Sequence, residues 1–133
     1  MKFTLYGKPV TKKNSGRILY KKTQTGAKIP FFAPSAQYKR YEGECLGQIQ
    51  AAGLHRLRIE APVNVRCVYF MPDRRKVDLV NLLSATCDVL VRGCVLLDDN
   101  SKIVVSHDGS RVHYDPKNPR VEVEITEVAM GKY

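Results

Sequence analysis

The chain has 133 residues, of which 44% are hydrophobic and 26% are charged. These proportions are typical of a globular protein and exclude a disordered or fibrous chain, and the length predicts a single domain over residues 1–133. The first residues lack the apolar core of a signal peptide, and no apolar run approaches the roughly 20 residues of a membrane span. We therefore expect a cytoplasmic protein that does not contact a membrane.

Positive charge is concentrated near the N-terminus. The net charge is +9, and residues 1–41 contain ten Lys and Arg residues but no Asp or Glu. Such a distribution favours a polyanionic partner. The segment TKKNSGR is predicted to be a loop whose Lys12, Lys13 and Arg17 contact nucleic-acid phosphates. A surface loop that binds no ligand is the alternative.

Hydrophobic periodicity and turn residues predict the elements of the first half of the chain. A short strand covers residues 2–6, and a basic hairpin pairs residues 18–21 with residues 28–32 around the turn KTQTGA. Ser35 is predicted to cap a helix that runs to about residue 52. The buried stripe of this helix comprises Tyr38, Tyr41, Cys45, Ile49 and Ala52.

A strand and a second helix follow. The strand, residues 57–70, is apolar on both faces near its end, which predicts a central position in a sheet. The helix runs from Asp78 to about Arg92 and ends at Gly93. Asp78, Asn81, Ala85 and Asp88 lie at three- and four-residue steps, so they share one stripe of it.

Short strands fill the C-terminal part of the chain. Residues 102–107 and 111–114 are predicted to form a hairpin around the turn Asp108-Gly109. A last strand alternates apolar and polar residues from Val121 to Ile125, and the tail after Val128 is expected to fray.

Cysteine and histidine spacings do not indicate a catalytic or metal motif. The cysteines lack CxxC spacing and are predicted to be reduced core thiols, with a zinc site built from distant residues as the open alternative. His107-Asp108 is better explained as part of a turn than as a metal-binding pair. The chain has no phosphate-binding loop and no nucleophile elbow. Nucleophilic catalysis is therefore not supported.

Carboxylates near the second helix are the residues that suggest chemistry. Asp78 opens the helix, and the adjacent pair Asp98 and Asp99 follows it. Two or three converging carboxylates can hold Mg²⁺, which lowers the pKa of a bound water and neutralises charge on a phosphodiester. The structural alternatives are that Asp78 is only a helix cap and that the pair lies in a solvated turn.

The same residues resemble the RusA family of Holliday junction resolvases. The resemblance rests on FMPDRR at residues 70–75, on the pattern D-L-x-N-L that begins at Asp78, on D-x-L at Asp88, and on L-D-D, which ends at Asp99. Order and spacing both match, and the similarity extends loosely from the first predicted strand to the last.

The resemblance implies a mixed α+β fold, with a small mixed β-sheet and two main helices. It also implies a homodimer that binds four-way or branched DNA and cuts opposed strands with Mg²⁺, for which Mn²⁺ is an alternative. Carried over by position, Asp78 is the first metal ligand and Asp99 the last, with Asp98 as a helper. Arg74, Arg75 and Lys76 are expected at the DNA entrance, and Asp88 is expected to support the site or the helix.

Two departures from the family pattern affect the predicted site. Val80 replaces a second Asp and Ser84 replaces a Lys. Asn81 is predicted to supply a neutral oxygen ligand, and Lys76 or Lys102 to supply the missing charge. The resulting prediction is a phage- or prophage-encoded endonuclease that acts in the cytoplasm of a bacterial host. The alternatives are a branched-DNA-binding protein without activity and a basic subunit of a phage assembly.

Overall fold

Seven strands and two helices make up the part of the chain that the computed structural model describes, residues 1–12 and 17–129. The strands are β1 (Lys2–Tyr6), β2 (Arg17–Lys22), β3 (Lys28–Ala33), β4 (Val63–Met71), β5 (Val104–Ser106), β6 (Arg111–Tyr114) and β7 (Arg120–Glu127). The helices are α1 (Ala36–Ala51) and α2 (Leu79–Arg92), and a short 3₁₀ turn (Leu54–Arg56) follows α1. The predicted mixed α+β fold with two main helices is confirmed.

Strand β4 is the centre of a five-stranded mixed sheet. Its neighbour β7 runs antiparallel to it and pairs in turn with β1, while β5 and β6 lie parallel to β4 on its other side. Strands β2 and β3 form a separate two-stranded antiparallel sheet. The predicted strand at residues 57–70 therefore begins later than expected, at Val63.

The core lies between one face of the large sheet and the helices. Alternate residues of β4 and β7 point into it because side chains of a strand alternate between its two faces. On the opposite face of β4, Val68 is buried, and Phe70 is covered by the Arg120 guanidinium at 3.8 Å from its ring centre and by the His113 ring. The prediction that β4 is covered on both faces near its end is confirmed.

Local signals define the ends of helix α1. The Ser35 hydroxyl accepts a hydrogen bond from the backbone N–H of Tyr38 at 3.0 Å, as predicted for an N-cap. After the helix, Gly53 adopts the left-handed conformation, with a φ of 75°. Four of the five predicted stripe residues are buried, but Ala52 is exposed because the helix has already ended at Ala51.

Helix α2 ends beside Ile49 of α1. Gly93 caps the helix, and a Cβ at that position would lie 2.9 Å from Cδ1 of Ile49 in α1. The left-handed residue here is Cys94, with a φ of 62°. Gly93 is thus required for close packing of the two helices rather than for backbone conformation.

The predicted hairpin at residues 102–114 is wrong. Strands β5 and β6 do not pair with each other in the described sheet, and both continue along the same edge of β4. Polar side chains of β4 and of the loop itself hold this loop against β4. The Asn64 side-chain oxygen accepts from the Ser106 hydroxyl at 2.6 Å and from the Asp108 N–H at 2.7 Å. In addition, the Ser110 hydroxyl accepts from the Cys67 N–H at 3.0 Å.

All four cysteines are free thiols, as predicted. Cys45, Cys67 and Cys87 are buried, whereas Cys94 is only partly buried. His107 is a structural residue, because its Nδ1 donates to the Val65 carbonyl at 2.8 Å.

Neither described helix combines the length and apolar character needed to cross a membrane.

Candidate active site

Asp78 lies at the start of α2 and caps it. Its Oδ1 accepts hydrogen bonds from the N–H groups of Val80 at 2.9 Å and Asn81 at 3.4 Å. These are orphan donors of the first helical turn, and the helix dipole favours a negative charge beside them. The side chain is exposed, so capping leaves the carboxylate accessible from solvent.

A cleft of about 350 Å³ opens further along the same stripe of α2. Asn81, Ser84 and Asp88 line it from the helix, and Lys12 and Phe32 line it from the N-terminal part of the chain. The Lys12 ammonium lies 3.9 Å from the Asp88 carboxylate. The helix thus presents two neutral polar side chains and one carboxylate to the same space.

The adjacent residues Asp98 and Asp99 follow α2 in an exposed turn. Their carboxylates differ in their interactions. Asp98 accepts hydrogen bonds from the Asp99 N–H at 2.7 Å and from the Asn100 side chain at 3.0 Å. These contacts hold the pKa of Asp98 below its ordinary value. Both oxygens of Asp98 therefore stabilise the turn itself.

The negative charge of Asp99, in contrast, affects the pKa values of two residues of α2, Asp88 and Cys87. Burial raises the pKa of Asp88, the Lys12 ammonium opposes that rise, and the negative charge of Asp99 adds to it. Burial also raises the pKa of the Cys87 thiol to about 12, with smaller contributions from the charges of Asp99 and Asp88. The Asp88 carboxylate is therefore subject to two opposite charges, the Lys12 ammonium at 3.9 Å and the negative charge of Asp99.

The residues of this region lie within a match to a known protein family. The sequence profile of the family described as endodeoxyribonuclease RusA matches residues 7–126. The chain belongs to the RusA family. A search of curated proteins gives no significant match. The RusA family comprises nucleases that resolve Holliday junctions, so membership supports endodeoxyribonuclease activity on branched DNA for this chain.

The two departures from the RusA pattern lie on the exposed surface of α2 and in its cleft. Val80, at the position of the second Asp, is 68% exposed. Ser84, at the position of the Lys, lines the cleft beside Lys12 and Asp88. Lys12 therefore brings an ammonium group into the cleft that Ser84 lines. Sequence reasoning missed this role because the two residues are far apart in the chain.

Lys76 and Lys102, the cations predicted to replace that Lys, lie elsewhere. Lys76 lines a groove with Lys8 and Arg75, at the junction of β4 and α2. Lys102 is exposed, and its N–H donates to the Asn100 side chain. Neither residue makes an ion pair within residues 1–12 and 17–129. Their predicted catalytic role stays a prediction.

The remaining predicted DNA contacts lie in two places. The Arg74 guanidinium lies 4.4 Å from the centre of the Tyr114 ring, and Arg75 is highly exposed. Both line a groove of about 610 Å³ along the end of β4 and β6. Arg17 opens β2 and, with Lys39, borders a cleft near the start of α1. Lys13 falls outside the described residues.

The oxygen donors of the cleft fit Mg²⁺, which binds proteins through one or two carboxylates and keeps several waters. Asp88 supplies one carboxylate in the cleft, and Asn81 and Ser84 supply neutral oxygens there. The negative charge of Asp99 acts on Asp88 from the turn that follows α2. Within the described ranges, no group of three or more Asp, Glu, His or Cys side chains is suited to hold a metal ion. Those residues therefore contain neither a closed zinc site nor a cluster of Asp78, Asp98 and Asp99.

Proposed function

We propose that this RusA-family protein is a metal-dependent endodeoxyribonuclease that cuts four-way or otherwise branched DNA. The observation that carries the proposal is the cleft in which Asn81, Ser84 and Asp88 of α2 meet Lys12, in a chain of a nuclease family. A bound Mg²⁺ or Mn²⁺ would neutralise charge on the phosphodiester and acidify a water.

The residues of the chain then have separate tasks. Asp99 and a carboxylate of α2 would hold the ion, and Asn81 and Ser84 would contribute neutral oxygens. The Lys12 ammonium, free to leave Asp88 once a cation binds there, orients the phosphate and stabilises negative charge that develops on it. Burial of Asp88 near a second carboxylate is unfavourable without a cation, which is the expected state of a site built to bind one.

Asp78 and Asp88 cannot both reach the same ion. They are ten residues apart on one helix, which corresponds to about 15 Å along its axis. Position in the RusA pattern favours Asp78 as the partner of Asp99, whereas the electrostatics favour Asp88. Asp99 belongs to both arrangements, so its loss is expected to abolish cleavage in either case.

Basic residues that line two adjoining grooves suit the DNA backbone. Arg74 and Arg75 border one groove, Lys8 and Lys76 border the next, and Arg75 lines both. Arg75 thus connects two surfaces that can neutralise phosphates, and we expect binding that weakens steeply with salt. We infer that the protein acts as a homodimer, since two symmetry-related sites would place paired cuts on a four-way junction.

A phage or prophage origin and action in the bacterial cytoplasm stay predictions. The second candidate function, a branched-DNA-binding protein without activity, is favoured by one observation: Val80 places an exposed apolar side chain where the RusA pattern has an acid. It predicts junction binding in EDTA and no cleavage with either metal.

Cleavage of a labelled four-way junction, beside a matched linear duplex, tests the proposal with Mg²⁺, Mn²⁺ or EDTA. Asp99→Asn is expected to reduce the cleavage rate at least about 100-fold, because it removes several kcal/mol of charge stabilisation from the transition state. Asp78→Asn and Asp88→Asn, compared in parallel, identify the partner of Asp99. Asp108→Asn is the control, because Asp108 lies in an exposed turn that is held through its backbone. Junction binding without metal-dependent cuts by the unaltered protein would support the inactive binder instead.

A further inference from the structure

The β2–β3 hairpin exposes an unusual amount of apolar surface. Its strands pair only with each other among the described strands, and nearly every residue in them is exposed. Six large apolar side chains are between 37% and 65% exposed: Ile18, Leu19, Tyr20, Ile29, Phe31 and Phe32. An isolated two-stranded hairpin is marginally stable in water, and an exposed apolar patch of this kind marks an interaction site.

The register of the hairpin divides these side chains between two faces. Ile18 pairs with Phe32 and Tyr20 with Pro30, so these four residues share one face. We call it the Tyr20 face. Leu19 pairs with Phe31, and their side chains lie on the opposite face because neighbouring strand residues alternate.

The two faces have different surroundings. Phe32, on the Tyr20 face, lines the cleft that contains Asn81, Ser84 and Asp88. Leu19, on the opposite face, borders the cleft beside Lys39 at the start of α1. The Tyr20 face is therefore the one that borders the candidate active site. A DNA strand seated at Asp88 would meet Phe32 first and Ile18 and Tyr20 beyond it.

The charge of the hairpin identifies its partner. Residues 17–33 carry Arg17, Lys21, Lys22 and Lys28 and no Asp or Glu. A second copy of this hairpin would bring four more positive charges, whereas DNA brings phosphates for the cations and flat apolar bases for the rings. Aromatic side chains stack on bases, and apolar wedges separate base steps that are already weakly stacked. Such steps occur at a branch point and not in a continuous duplex.

We propose that the Tyr20 face stacks against the base pair exposed at a DNA branch point and so selects branched over linear DNA. The inference deepens the proposed function and rests on it. The basic residues bind any DNA through its phosphates, and the rings add affinity only where a base pair has lost its stacking neighbour. Tyr20 and Phe32 are thus specificity-determining residues, separate from the carboxylates.

Binding in EDTA tests the proposal without any need for cleavage. The measurements are affinities for a four-way junction and for a linear duplex, and the fluorescence of 2-aminopurine placed at the branch point, which falls when the base stacks on an aromatic ring. The test variant is Tyr20→Ala/Phe32→Ala. The matched control is Leu19→Ala/Phe31→Ala, which removes similar apolar surface from the opposite face of the same strands.

The test variant is expected to lose the fluorescence decrease and to bind the junction about 5- to 100-fold more weakly, with duplex affinity retained. The control is expected to keep both properties of the unaltered protein. Equal melting temperatures would show that all proteins are folded, as exposed side chains predict. Light scattering reports whether either variant changes the oligomeric state.

Three results would overturn the inference. In the first, the test variant retains its junction preference and the fluorescence decrease. In the second, both variants lose them equally. In the third, the test variant dissociates into smaller species, which would show that a second copy covers this face. If the unaltered protein does not prefer the junction over the duplex, the proposed function fails as well. A preference that survives in the test variant defeats the stacking role alone.

Discussion

Replacing Asp78 by Asn and by Ala separates its structural role from its proposed metal role. Asp78 Oδ1 accepts two backbone N–H groups of α2. Asn retains an acceptor oxygen at this position, so Asp78→Asn loses only the interaction of a charge with the helix dipole, about 0.3–1 kcal/mol. Asp78→Ala also loses the cap, which costs about 1 kcal/mol more. In a chain of this length, each 1 kcal/mol corresponds to a decrease in Tm of about 3–5 °C.

The effect of Mg²⁺ on the free energy of unfolding then tests whether Asp78 is a metal ligand. If Mg²⁺ binds the folded protein with a Kd of about 1 mM, 10 mM Mg²⁺ raises the free energy of unfolding by about 1.4 kcal/mol. If Asp78 is a metal ligand, this increase is expected to disappear in Asp78→Asn. Urea denaturation with and without Mg²⁺, at fixed ionic strength, measures both effects.

Two outcomes would refute this reasoning. Equal destabilisation by Asn and Ala would show that the cap does not stabilise α2. An undiminished response of Asp78→Asn to Mg²⁺ would exclude Asp78 as a ligand and leave Asp88 as the partner of Asp99. Asp88→Asn, measured in the same way, would then be expected to lose the response.

Three further predictions concern other parts of the molecule. Val80→Asp is expected to raise the cleavage rate and to stabilise α2 by about 0.3–1 kcal/mol through the helix dipole; no gain in junction cleavage or in Tm would contradict it. Asp115→Asn is expected to lower Tm at pH 7, because the hydrogen bond from Arg120 at 2.9 Å holds the pKa of Asp115 below its ordinary value. A carboxylate with a lowered pKa stabilises the fold only while ionised, so the difference in Tm should close as pH falls through that pKa, and a constant difference would argue against the ion pair. Thr86→Val is expected to cost about 1–3 kcal/mol in urea denaturation, since it leaves the buried Tyr69 hydroxyl without its 2.7 Å partner, and adding Tyr69→Phe should recover part of that loss.

Sequence patterns were most informative where an element depends on nearby residues. Ser35 and Asp78 each accept hydrogen bonds from N–H groups two or three residues further on, so both helix starts were predictable. The β2–β3 hairpin also followed from a local turn. The predicted hairpin of β5 and β6 failed because Asn64 and Ser110 join the intervening loop to β4. Local turn chemistry at Asp108-Gly109 carries no information about that distant partner.

The sequence by itself determined the fold class, the basic N-terminal region and the carboxylates of α2 and the following turn, because periodicity, capping and charge are properties of residues near one another. It also contained the RusA pattern and its two departures. Only the tertiary structure decided that Lys12 lies beside Asp88, that the charge of Asp99 reaches this pair, and that the Tyr20 face borders the same cleft. These relations depend on how strands and helices pack, which brings together residues many positions apart in the chain.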